Sequence, residues 1–81
     1  VGLVKIPKAA LDPTAAKYTE APNLFVEDCY RVAGEYGIDP PSLLKHMSNA
    51  IAILARLNTD KKGQLLSIVR CLCDAGYPPP S

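Results

Sequence analysis

Apolar residues recur at helical spacing in three stretches of this chain, and each stretch is bounded by residues that start or stop helices. Residues 24–36 end at Gly37. Residues 43–58 follow Asp39-Pro40-Pro41. Residues 63–75 follow Asn58-Thr59-Asp60 and end at Gly76. In the first stretch Phe25, Cys29, Val32, Ala33 and Tyr36 fall on one face of a 3.6-residue helix. Asn23 stands where a side chain can accept from the unpaired N–H groups of the first turn. In the second, Asp39 is placed to cap and Pro40 suits the first turn. Leu43, Met47, Ala50, Ile51, Leu54 and Leu57 form its expected core stripe, widened by Leu44 and Ile53, so this helix is expected at the centre. In the third, Leu65, Leu66, Val69, Leu72 and Cys73 form the apolar face, with Ile68 between faces as a spare apolar residue. The short link through Asn58 to Asp60 predicts that the second and third helices form an antiparallel hairpin.

Outside these stretches prolines dominate. Residues 1–22 carry Pro7, Pro13 and Pro22, and residues 1–6 are apolar with no second strand to pair with. They read as an extended arm, with a helical turn expected within residues 8–19 where Pro13 interrupts it. The fold class is therefore all-α: a bundle of three helices, or four if the arm winds into a short one, with an extended N-terminal arm and a Pro-rich C-terminal tail. The expected divisions are an arm over residues 1–22, a helical domain over 23–76 and a linker or tail over 77–81. The start at Val1-Gly2 and the Pro-rich end read as a domain excised from a larger protein.

Length and charge narrow the function classes. Eighty-one residues make one domain. A chain this short buries only about 60% of its unfolded surface, so it needs dense packing or a partner. Net charge is +1, which creates no general pull toward nucleic acid or anionic membrane. The charges are unevenly placed: Glu27, Asp28 and Glu35 against Arg31 in the first helix, Lys45 and Arg56 without an acid in the second. Attraction between those helices is expected as a modest packing term. No apolar run approaches the ~20 residues that span a bilayer, and no signal-peptide pattern is present.

Three cysteines, Cys29, Cys71 and Cys73, are an odd count, which argues against a closed disulfide framework and favours buried reduced thiols and an intracellular setting. With His46 they supply four zinc-type ligands. Cys71 and Cys73 are two apart in a helix, however, so they point about 200° apart and cannot share one ion without unwinding. No metal site and no cofactor is implied. His46 is the only histidine and Cys29 lies on an apolar face, so thiol catalysis lacks its base. No phosphate-binding glycine loop or hydrolytic triad appears, and the chain reads as non-enzymatic.

Two binding functions are left. The first is a protein–protein interaction or assembly module. It would bind a partner helix or a second copy through an apolar face of the second and third helices. Ile53, Leu57, Ile68 and Leu72 are the expected contacts, with Arg56, Lys61 and Lys62 at the rim. The alternative is nucleic-acid binding by the basic turn over residues 56–62, where helix N–H groups and cations together suit a phosphate. Against it, the third helix carries only Arg70 beyond its first turn, with little else to read base edges. The tail Tyr77-Pro78-Pro79-Pro80 reads either as a linker or as a polyproline II ligand.

Overall fold

The computed structural model describes residues 11–80, and all their regular structure is helical. The expected arm over residues 1–6 lies outside the described residues. Four α-helices follow in order: α1 (Lys17–Glu20), α2 (Asn23–Tyr36), α3 (Pro40–Leu57) and α4 (Lys62–Asp74), with a 3-10 turn, Thr59–Lys61, between α3 and α4. The protein is a small all-α bundle. Its centre is the hairpin of α3 and α4, and α3 also packs on α2. α2 lies across the open end of this hairpin, where its Tyr30 hydroxyl comes within 3.3 Å of the Tyr77 hydroxyl just beyond α4.

The helix boundaries follow local chemistry. Asp39 caps α3, its carboxylate accepting from the Ser42 backbone N–H at 3.2 Å and the Ser42 hydroxyl at 2.8 Å. Pro40 and Pro41 are the first two helical residues, so α3 starts three residues before its apolar pattern does. Their missing N–H groups fall where no intrahelical partner exists. α2 begins at Asn23 itself, with Pro22 at the cap position and no side-chain cap hydrogen bond, contrary to the expected Asn23 cap. Gly37 (φ 65°) and Gly76 (φ 98°) end α2 and α4 in the left-handed region. After each, the next residue's N–H reverses onto the helix, Ile38 to Ala33 O at 2.9 Å and Tyr77 to Leu72 O at 2.8 Å. These are Schellman closures, and they fold Ile38 and Tyr77 back against the core.

The core contains Phe25, Cys29, Val32 and Ala33 from α2, as their spacing predicts, together with Leu43, Leu44, Ile51 and Ala55 from α3 and Leu65, Ile68, Val69 and Leu72 from α4. Two phases differ from expectation. On α3 the buried line is Leu44, Ser48, Ile51 and Ala55, whereas Met47, Ala50 and Leu54 are half-buried and Leu57 is exposed. α3 carries two apolar lines turned roughly 100° from each other. The one with larger side chains dominates the sequence pattern. The one with Ser and Ala is buried, because small residues let neighbouring backbones come close. On α4, Ile68 is wholly buried while Leu66 and Cys73 are exposed. The cause lies in residues 11–20. Gln64, one turn before Ile68, donates to Pro13 O at 2.9 Å and Ala15 O at 3.2 Å and accepts from the Thr19 hydroxyl at 2.9 Å. That clip draws the N-terminal segment over the Ile68 side of α4 and away from Leu66.

Tyr18 completes the core from α1. Its ring meets Phe25 edge-on at 5.2 Å, and its hydroxyl donates to Asp28 at 2.6 Å. Lys17 (3.2 Å) and Arg31 (3.7 Å) flank the same carboxylate, though both are half exposed and add little. The Tyr18 hydrogen bond, joined by Lys17 and Arg31 and opposed by burial, holds the Asp28 carboxyl below its ordinary 3.8. Burial and the Asp28 carboxylate push the Tyr18 hydroxyl well above its usual range, so it stays a donor.

Three outcomes are expected in thermal melts. Ile51→Ala costs about 2–5 kcal/mol and unfolds much of the population, Leu54→Ala costs roughly half as much, and Lys45→Ala is within about 0.5 kcal/mol of the parent. Ser48 carries a buried hydroxyl without a hydrogen-bond partner among the described residues, so Ser48→Ala raises stability by about 1 kcal/mol. A lower melting temperature for Ser48→Ala would show that this hydroxyl is satisfied. Tyr18→Phe costs about 1–3 kcal/mol at neutral pH. Because the folded Asp28 value is depressed, its contribution is complete above 3.8 and is lost as pH falls from there through the folded value. The acid slope of the melting temperature over that window is therefore shallower in Tyr18→Phe than in the parent.

Candidate functional site

The strongest candidate is the C-terminal half of α3 and the turn after it. Ile53 and Leu57 are one turn apart, so their side chains stack along the same edge. They are 47% and 74% exposed, which for Leu57 leaves most of a leucine in water. Leu54 lies between them in sequence, is half-buried, and joins this edge to the core. Arg56, Lys61 and Lys62 are exposed around it, with Asp60 the one acid in the turn. No ion pair engages these three cations among the described residues. Asn58 ends α3, its backbone and side-chain N–H groups both donating to Leu54 O (2.9 and 3.2 Å).

Of the seven residues expected at a partner surface, the structure brings Ile53, Arg56, Leu57, Lys61 and Lys62 together at this end. Ile68 and Leu72 lie elsewhere, wholly buried inside the domain. They hold α4 in place and present no surface. Pattern reading of α4 missed Leu66, 45% exposed on its outer side, because Leu66 and Ile68 are indistinguishable by hydropathy and only the clip at Gln64 separates them.

At the open end of the hairpin, Asn23, Val26 and Glu27 of α2 and Cys71, Asp74 and Ala75 of the α4 terminus enclose a shallow cleft of about 420 Å³. Its lining mixes polar and apolar side chains, and the charged ones, Glu27 and Asp74, are exposed and acidic. A second groove, about 660 Å³, runs between Ser42, Lys45, His46 and Asn49 on α3 and Pro78, Pro79 and Pro80. The Pro-rich tail thus lies along α3, with Pro79 half-buried.

The thiols are separated. Cys29 is buried, Cys71 half-buried and Cys73 exposed, so the expected place of Cys73 on the apolar face of α4 is overturned by the phase of that helix. His46 is exposed on α3, and among the described residues no three His, Cys, Asp or Glu side chains converge as a metal site would require. Burial pushes the Cys29 thiol up to about 12, with Asp28 adding to the effect. A thiol reagent should therefore modify Cys73 fastest, Cys71 more slowly and Cys29 only on unfolding. Rapid native-state labelling of Cys29 would contradict its place in the core.

No helix among the described residues is long and apolar enough to cross a membrane. No family model matches the chain, and neither a curated protein nor a solved structure matches it.

Proposed function

We propose that this chain is a non-enzymatic interaction or assembly module that docks a partner helix or a second copy through the apolar edge of α3. The observation that carries the reading is the exposed pair Ile53 and Leu57 on a well-capped helix, ringed by the cations of the following turn. Burying one leucine or isoleucine side chain is worth about 1.5–3 kcal/mol, and a small apolar centre inside a charged rim is the usual anatomy of a docking surface. The edge is held from behind by Leu54 and Asn58, so little ordering is needed before a partner binds.

The double variant Ile53→Ser/Leu57→Ser tests it. Both residues are largely exposed, so the melting temperature should stay within a few degrees of the parent. Association, read as molar mass by light scattering across a concentration series, should weaken at least about tenfold. Helical peptides selected against the parent should lose affinity for the variant to the same degree. If neither self-association nor peptide binding responds to the substitutions, the docking reading fails. Affinity for mixed-sequence RNA or DNA that falls steeply with salt and ignores the double variant would instead support nucleic-acid binding by residues 56–62.

A further inference from the structure

Unpaired charge is unevenly placed among the described residues: cations outnumber Asp60 around the α3–α4 turn, and two acids line the cleft at the open end, where Lys45 and Arg70 are also exposed outside the cleft. All three ion pairs among the described residues lie within residues 17–35: Lys17 with Asp28, and Arg31 with Asp28 and Glu35. The attraction expected between an acidic α2 and a basic α3 forms no ion pair there. Glu27 and Asp74 are exposed and unpaired among the described residues at the open end, and Arg56, Lys61 and Lys62 likewise at the closed end. Exposed apolar groups other than Leu66 lie beside these charges. Leu24 and Tyr30, 37% and 46% exposed, flank Glu27 along α2, while Ile53 and Leu57 flank Arg56 along α3. The two ends are separated by the length of α4, about 18 Å at 1.5 Å per residue, so they cannot meet within one molecule.

From this complementarity we propose that the chain associates head to tail. The α3 edge of one copy seats on the α2 face of the next, with Arg56, Lys61 and Lys62 against Glu27 and Asp74. The inference rests on the α3 edge being a docking face and names its occupant as a second copy. The cleft beside Glu27 suits a lysine or arginine: Val26 and Ala75 cover the methylene stem, and the carboxylates receive the head. A symmetric pairing of two α3 edges is disfavoured, because it sets Arg56, Lys61 and Lys62 against their own copies. Since the two faces differ, the contact is heterologous, and each added copy leaves one free face at either end of the assembly until a ring closes.

The experiment is sedimentation of the full chain over a concentration series, at low and high salt, with two charge-reversed variants. These are Lys61→Glu/Lys62→Glu and Glu27→Lys/Asp74→Lys, each checked by circular dichroism for retained helix. The parent should grow in mass with concentration, and less so in high salt. Each variant alone should associate at least about tenfold more weakly. An equimolar mixture of the two should recover association, because each supplies one intact face. A parent that stays monomeric throughout overturns the proposal, and so does a mixture no heavier than its components. If Glu27→Lys/Asp74→Lys associates as the parent does, the head-to-tail arrangement is wrong while docking through α3 stands. Peptide binding that is lost on Ile53→Ser/Leu57→Ser, with a monomeric parent, likewise leaves the α3 reading intact and removes the second copy as its occupant.

Discussion

Closure of the α3–α4 hairpin by α2 is the constraint on which the rest of this structure depends. Two helices alone have one shared seam and leave the far sides of their apolar lines in water. α2 supplies Phe25, Cys29, Val32 and Ala33 to that seam, and Tyr18 fills the remaining gap beside Phe25. The core is assembled from few side chains, so no element is dispensable. The buried tyrosine is acceptable because its hydroxyl finds Asp28, and that donated hydrogen bond is the largest of the effects that lower the Asp28 carboxyl below its ordinary value. One hydrogen bond thereby couples the short α1 to the position of α2.

The same arrangement decides what stays outside. With α2 across the open end and residues 11–20 clipped to α4 by Gln64, the C-terminal half of α3 is left with one apolar flank uncovered. Ile53 and Leu57 face water there beside cations that meet no internal acid among the described residues. Glu27 of α2 and Asp74 of α4 line the cleft at the other end. Polarity along the molecule is therefore a by-product of how the core closes, and it is the physical basis for reading both ends as contact surfaces.

The all-α class, the three long helices and most of their ends are legible in the residues themselves. Asp39 with two prolines, and Gly37 and Gly76 past the last turns, act through groups a few positions away, so their effect is independent of the fold. The α2 face was equally plain, since Phe25, Cys29, Val32 and Ala33 fall on one stripe at helical spacing and all four are buried. Part of the candidate site was legible too: Ile53 reads as an apolar position beyond what a three-helix core needs, and the basic turn is visible in residues 56–62, whereas Leu57 reads as part of the core stripe.

What only the tertiary structure decided is the rotation of α3 and α4 about their own axes. Each carries more apolar residues than one face can hold, and hydropathy ranks the surplus by size. Packing ranks it by fit, which places Ser48 and Ala55 inside, Leu57 outside, Ile68 beneath α4 and Cys73 on its surface. The deciding contacts, Gln64 with Pro13, Ala15 and Thr19 and Tyr18 with Asp28, join residues between 10 and 51 positions apart. The sequence alone determined which segments are helical and where they stop, because caps and periodicity are local. Which side of each helix meets solvent depends on long-range contacts that exist only once the chain has closed on itself.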